Sequence, residues 1–570
     1  MSLPCIVLKF GGSVLAGTAD LPRVVSEIYR WRRAGCAVVA VVSAFRGATD
    51  RLFAEARAAA DDADPHAIAE HVARGEHESA TRLALALDRS GVAAAVLTPA
   101  ALRCVASGPA HEATPRQLER ATLERVLARG IVAVVPGYAA LDELGRTVLL
   151  GRGGSDLSAL FLARALDARC RLLKDTAGVF ERDPALDPSA RPFAALSFAR
   201  ALSIGGRVLQ PRALRYARAQ GIAFEVAAIG GSRATRVGAR SSRLAAAGGA
   251  PARALRVALL GAGAVGGALL AALDARRAEL EVVAVAVRDR ARERSWRARF
   301  PQAALLADPR AAATCGADVV VEALGGVETA HEALRRALDA GAHVVTANKS
   351  LVAQHGVALR EHARRCGSLW RDGACVGGAL PILEQLRLRD RARVVRIRGV
   401  LNGTSNFVLE RLARGLALRE ALEEARARGY AERDAARDLD GRDAAEKLVC
   451  IAQHLGCNDL SSEEVARGAF VASAERRHQV AELDLRGARA RAWVLCEALA
   501  EEDPLHALEG ARNAVELWRA DGTRELLVGR GAGGPPTAEA LLGDLLELHG
   551  LHASSADPHH GTLRASLDVA

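Results

Sequence analysis

The chain reads as an α/β protein made of two parallel-sheet halves, and three observations predict this. Short apolar, β-branched runs alternate with Ala/Arg/Glu-rich helical stretches along most of its 570 residues. That length suffices for two to four domains, each with its own core. Residues 231–254 interrupt the alternation with Gly, Ala, Ser, five arginines and no acid, the composition of an exposed flexible linker and of the main domain boundary.

In chain order, Cys5–Phe10, Ala37–Ser43, Ile131–Pro136, Arg171–Lys174 and Ile222–Ile229 read as strands of a first sheet. Leu255–Leu260, Glu281–Val287, Asp318–Leu324 and Ala342–Thr346 read as strands of a second. No apolar run approaches the ~18 residues that a membrane helix needs. The segment Met1–Phe10 has no basic, apolar and cleavage-site order, so a cytoplasmic location is expected, away from membranes. Ten cysteines are scattered without a C-x-x-C pair and read as reduced core residues rather than a structural zinc site. The net charge of +10 comes from arginines interleaved with acids on solvated helix faces. It favours small polyanions over nucleic acid.

Lysine is almost absent. Only Lys9, Lys174, Lys349 and Lys447 occur among 77 Lys plus Arg. An ammonium is a compact point charge that can release its proton, whereas a guanidinium does neither. Each of the four lies inside a motif.

In the first half, Lys9-Phe10-Gly11-Gly12-Ser13 follows the first strand; glycines there let backbone N–H groups approach phosphate oxygens, with a lysine to neutralise them. Val42-Ser43-Ala44, Gly75-Glu76, Gly151-Arg152-Gly153-Gly154-Ser155-Asp156, Lys174-Asp175-Thr176-Ala177-Gly178 and Gly205-Gly206-Arg207 follow. In this order they resemble aspartate kinase, a member of the amino-acid kinase family, over residues 1–230. The resemblance implies an αβα sandwich that takes ATP with Mg²⁺ and phosphorylates L-aspartate to 4-phospho-L-aspartate. It assigns phosphates to Lys9, Gly11 and Gly12, substrate to Ser13, Glu76 and Arg152, and the organising role to Asp156. Lys174, Asp175 and Arg182 lie by the nucleotide. The first loop is one residue shorter than the family pattern, and the linker stands where paired regulatory ACT domains normally follow. Feedback inhibition through such domains is therefore not expected.

In the second half, Gly261-Ala262-Gly263-Ala264-Val265-Gly266 follows a strand and opens a helix near Gly267. That is the G-x-G-x-x-G context in which a helix N-terminus receives a pyrophosphate. At the end of the next strand the row reads Val287-Arg288-Asp289, favouring NADP(H) with Arg288 on the 2′-phosphate and NAD as the alternative. Glu322-Ala323-Leu324-Gly325-Gly326, Thr346-Ala347-Asn348-Lys349, Val376-Gly377-Gly378, Asn402-Gly403-Thr404-Ser405-Asn406, Gly429-Tyr430-Ala431-Glu432, Asp438–Lys447 and Gly531-Ala532-Gly533-Gly534 strongly resemble homoserine dehydrogenase. This implies a Rossmann domain at 255–350, an α+β catalytic and dimerisation domain at 351–510, and a return to the nucleotide domain at 511–570.

The implied reaction interconverts aspartate 4-semialdehyde and L-homoserine. Lys349 and Lys447 flank the carbonyl, Asp443 and Glu432 bind the substrate amine or its water, and Gly377 and Gly378 pass close to substrate or a monovalent cation. Thr346, Asn348 and Gly531 line the cofactor with Gly261, Gly263, Val265 and Gly266. Asp443 and Lys447, four apart, share a helix face. The resemblance further implies a homodimer or homotetramer. Together the halves resemble a fused aspartate kinase–homoserine dehydrogenase; a second reading keeps the dehydrogenase and makes the first half an inactive scaffold or an ATP- or amino-acid-sensing domain.

Overall fold

The strand Cys5–Phe10 is apolar on both faces apart from Lys9 and buried from Ile6 onward, as expected of a central parallel strand. In the computed structural model, which describes residues 4–59, 63–187, 189–205, 208–231, 233–245, 253–388, 394–431, 435–531 and 533–555, it pairs in parallel with Ala37–Val42 and Arg169–Lys174. The whole sheet has nine strands, in the order 243–244, 193–196, 234–237, 224–228, 169–174, 5–10, 37–42, 132–136, 94–96. Every central strand delivers its C-terminal end to one edge, where α/β proteins place ligands. A separate four-stranded sheet spans 105–107, 114–117, 139–141 and 147–149.

The chain divides into two compact units, 1–88 with 93–249, and 89–92 with 250–570. The linker expected at 231–254 is therefore corrected over its first part. Ala234–Val237 and Arg243–Leu244 are strands of the nine-stranded sheet, and Thr235 is fully buried, its hydroxyl donating to the Phe193 carbonyl at 2.6 Å. Alternation explains it: Thr235 and Val237 point inward while Arg236 faces solvent.

The second unit contains two sheets. Six parallel strands run in the order 304–306, 280–286, 255–260, 319–322, 343–346, 370–371. The last, Trp370–Arg371, corrects the expected exit from this layer at residue 350, because the helix Lys349–Arg365 leads back into the same sheet. The helix after the glycine turn starts at Ala264, three residues earlier than expected, with Gly263 as its N-cap.

The other sheet, in the order 466–467, 491–497, 478–484, 394–400, 512–519, 524–530, is antiparallel apart from its first pair. Its inward face, through Ile397, Ala481, Leu483, Val515 and Leu517, shares a core with the helix Arg442–His454. The strands Arg512–Arg519 and Arg524–Arg530 thus belong to this sheet, and the return expected from 511 begins with the helix Gly534–Ser555. Leu541, Leu545 and Leu548 of that helix pack with Leu269, Leu270 and Leu273 beside the glycine turn. Among the described residues no helix is long and apolar enough to cross a membrane.

Candidate active sites

Lys9 is the penultimate residue of its strand, flanked in register by Val41 and Leu172. Its Nζ lies 2.7 Å from Asp156 Oδ1. Lys174, the last residue of the neighbouring strand, reaches Asp156 Oδ2 at 3.1 Å. Asp156 sits in the first turn of the helix Gly154–Leu166, whose entry needs left-handed backbone at Gly151 and Gly153. One buried carboxylate is therefore shared by two ammonium groups. Burial alone would raise the Asp156 carboxyl, but Lys9 and Lys174 outweigh it and hold it down at about 2. Burial lowers the Lys9 ammonium from its ordinary value, against the attraction of Asp156.

A side chain at Gly11 would meet Lys9 Nζ at 2.7 Å, so glycine there keeps the ammonium open toward the loop. Glu76 is buried; Oε1 accepts from the Ala44 amide at 3.2 Å, while Oε2 has no hydrogen-bond partner among the described residues. Burial raises its carboxyl to about 7. Ser13, Arg152 and Asp175 are exposed. Arg182 ion-pairs with Asp187 at 2.6 Å rather than with Asp156. Arg46, which was not singled out by sequence, donates to the Gly12 carbonyl at 3.2 Å and braces the Gly11–Ser13 loop.

The second unit repeats the motif. Asp443 opens the helix Arg442–His454, and its Oδ2 lies 2.7 Å from Lys447 Nζ one turn on. Its Oδ1 lies 3.2 Å from Lys349 Nζ, at the start of the Lys349–Arg365 helix. Lys447 Nζ also donates to the Leu401 carbonyl at 2.7 Å. Burial would push the Asp443 carboxyl up; Lys447 and Lys349 hold it well below the usual carboxylate range. For Lys349 the charge of Asp443 outweighs burial and raises its ammonium.

Asn402 supplies the missing link. Its Nδ2 donates to Asp443 Oδ2 and Asp438 Oδ1, both at 2.8 Å, while its Oδ1 caps the next helix by accepting from Ser405 N. Burial and then the charge of Asp443 raise the Asp438 carboxyl. Asn402, Asp438 and Glu322 went unassigned although each lies in or beside a motif, because spacing alone does not tell which polar residues of a motif converge. Glu432 lies outside the described residues.

The glycine turn is built for close approach. A Cβ at Gly261, where φ is +101°, would meet the Ala323 carbonyl at 2.7 Å, and one at Gly266 would overlap the Gly261 carbonyl. Val265 is half-buried in the first turn of the helix, and Gly263 is open. Beside the turn, buried Glu322 accepts from Thr346 Oγ1 at 2.5 Å, Leu324 N at 2.7 Å and Asn348 Nδ2 at 3.3 Å. Burial raises its carboxyl to about 7.

Arg288 is exposed at the end of its strand. Asp289 caps the following helix by accepting from Ala291 N at 2.9 Å, and Arg292, missed in the sequence, reaches back to the Ala262 carbonyl at 3.0 Å. Gly377 and Gly378 have φ of +80° and +55°, and a Cβ at Gly378 would lie 3.2 Å from the Gly531 carbonyl. A side chain at Gly531 would collide with the Asn513 amide, which donates to the same Leu401 carbonyl as Lys447.

An α/β unit with a glycine loop beside a buried lysine and a Rossmann-type α/β unit that carries a second sheet define a two-part enzyme class, one part for phosphoryl transfer and one for oxidoreduction. Family models match each part: the amino acid kinase family over residues 4–228, the NAD binding domain of homoserine dehydrogenase over 261–371, and homoserine dehydrogenase over 381–546. The chain is 33% identical to a homoserine dehydrogenase of Synechocystis sp. over 48% of its own length and 67% of that protein's. It is 35% identical to an NAD(+)-dependent homoserine dehydrogenase of Pseudomonas canavaninivorans over 41% of its length and 72% of that protein's. Through its first unit it is 34% identical to an aspartate kinase of Pseudomonas putida over 37% of its length and 52% of that protein's. The chain belongs to the homoserine dehydrogenase family and carries an amino acid kinase domain ahead of it.

Proposed function

We propose that the chain is a bifunctional enzyme that phosphorylates the β-carboxylate of L-aspartate and interconverts aspartate 4-semialdehyde and L-homoserine. One observation carries this reading: each unit buries a single aspartate between two of the chain's four lysines, at the ligand-binding edge of its fold. When bound, MgATP supplies the phosphoryl group and reduced nicotinamide the hydride.

In the first unit the acceptor carboxylate and a polyphosphate repel each other, so cations must be in place beforehand. Lys9 is held against Asp156 within reach of the Gly11–Gly12 loop, whose glycines fit a nucleotide phosphate. Asp156 keeps Lys9 and Lys174 apart and oriented. Glu76, with a free carboxylate oxygen, is suited to the substrate ammonium, and exposed Arg152 to a substrate carboxylate.

In the second unit the substrate oxygen gains negative charge as the carbonyl is reduced and needs a proton. Lys447 is anchored by Asp443 and the Leu401 carbonyl, leaving one N–H direction for that oxygen, and Lys349 faces it from the other helix. Asp438 offers an acceptor to the amino-acid end of the substrate, held in place by Asn402, whose two amide hydrogens go to Asp438 and Asp443. The Gly261–Gly266 turn fits a pyrophosphate. Asp289 caps the helix and pairs with Arg292 at 3.6 Å, which leaves exposed Arg288 as the charge for a ribose 2′-phosphate and favours NADP(H).

Lys447→Ala is expected to lower homoserine formation by about a hundredfold or more while NADPH binding, followed by nicotinamide fluorescence, stays intact. Retained turnover would remove Lys447 from its role. A kcat/KM for NADPH equal to that for NADH would contradict the assignment of Arg288.

A further inference from the structure

The two lysines of the second site sit on different helices, so something must fix the gap between them. Contacts between these helices advance in step. Lys349 meets Asp443, Ser350 Oγ donates to Glu446 at 2.9 Å, and Gln453 Nε2 donates to the Ala353 carbonyl at 3.1 Å. At the far end, about 16 Å along the helix from Lys349, the Arg360 guanidinium donates to Gln453 Oε1 at 2.6 Å and to Asp372 Oδ2 at 2.8 Å. The other oxygen of Asp372 lies 2.9 Å from His454 Nε2, the last residue of the Arg442–His454 helix. Asp372 follows directly on the strand Trp370–Arg371, the edge of the parallel sheet.

One carboxylate, 1% exposed, thus binds a sheet edge to both lysine-bearing helices. Burial would raise its carboxyl, but His454 and then Arg360 hold it far below the usual range. It is therefore an ionised acceptor, and Nε2 of His454 carries the proton it receives.

We propose that Asp372, with Arg360 and His454, is the positioning group that sets the separation of Lys349 and Lys447. Between these polar contacts the helices meet through apolar side chains, including Leu351, Val352 and Leu448, which can slide with little change in buried area. Directional charged hydrogen bonds cannot. Buried ion networks add little net stability compared with apolar packing, whereas a displacement of about 1 Å at reacting groups costs about a hundredfold in rate. The role of this network is thus register. It lies about 16 Å along the helix from Lys349, away from the reacting end of the lysine pair.

This inference rests on the dehydrogenase reading above, and the test separates the two. Full-length wild-type protein, His454→Leu and His454→Gln are assayed for homoserine-dependent reduction of NADP⁺. Wild type without turnover refutes the dehydrogenase reading itself. With wild type active, His454→Leu is expected to lose about tenfold to a hundredfold in kcat with KM for homoserine and NADP⁺ unchanged within about twofold. His454→Gln, whose amide can still donate to Asp372, is expected to recover most of the loss. If His454→Leu does not fold, Arg360→Met carries the same comparison, with Arg360→Lys as the rescue. An unchanged kcat, a parallel change in kcat and both KM values, or a conservative variant no better than the apolar one would each overturn the proposal.

Discussion

At the scale of single residues, Asp156 and Asp443 perform the same physical task. Each is a buried carboxylate kept ionised by two ammonium groups, and each in turn keeps those ammonium groups fixed and apart. Removing either leaves two ammonium groups facing each other, one of them buried. Asp443→Asn is therefore expected to destabilise the protein by about 3–5 kcal/mol, readable as a lowered denaturation midpoint; an unchanged midpoint would show that the pair is solvated.

Glu76 carries the pH prediction. Its carboxyl is raised to about 7, so below that pH it is protonated and cannot bind an ammonium. The KM for aspartate should fall as pH rises from 6 to 8, and Glu76→Gln should lack that dependence. For stability the sign is opposite: the folded state holds a proton that the unfolded state has released, so this group's contribution declines between its ordinary pKa and about 7. A flat KM profile in wild type would sink the assignment. The lysines and aspartates were legible because lysine is so scarce here. Asn402 and Arg292 were not, because Asn and Arg are common and only the fold reveals which of them converge.

At the scale of elements, the central parallel strands were legible almost to the residue, since continuous burial on both faces leaves continuous apolar runs in the sequence, whereas the three-residue edge strands Ala94–Val96 and Ala304–Leu306 were not read. The strand Ala234–Val237 was missed because its alternation is only four residues long and sits among Gly, Ser and Arg. The Trp370–Arg371 strand was missed because two residues carry no period at all. The glycine turn was read from its motif, and its tightness adds a prediction. Gly266→Ala forces a methyl group onto the Gly261 carbonyl; overpacking of this kind costs about 1–3 kcal/mol, so nicotinamide affinity should weaken about tenfold or more. A titration showing unchanged Kd would mean that the turn opens without penalty. Kinase activity, which belongs to the other unit, should not change.

At the scale of the whole molecule, four lysines divide two and two between two compact units, and each pair meets one aspartate. An arginine-rich chain keeps lysine in these four places, where a compact donor within 3.2 Å of a buried carboxylate is required. Two sites on one chain should then fail independently. The most direct test is aspartyl-hydroxamate formation from aspartate, MgATP and hydroxylamine by the full-length protein, alongside homoserine-dependent NADP⁺ reduction, each in wild type and in Lys9→Ala. The expected result is both activities in wild type, with hydroxamate formation lost by about a hundredfold or more in Lys9→Ala and NADP⁺ reduction unchanged. No hydroxamate from wild type, or equal amounts from Lys9→Ala, would contradict a catalytic Lys9–Asp156–Lys174 site and leave the first unit a scaffold or sensor.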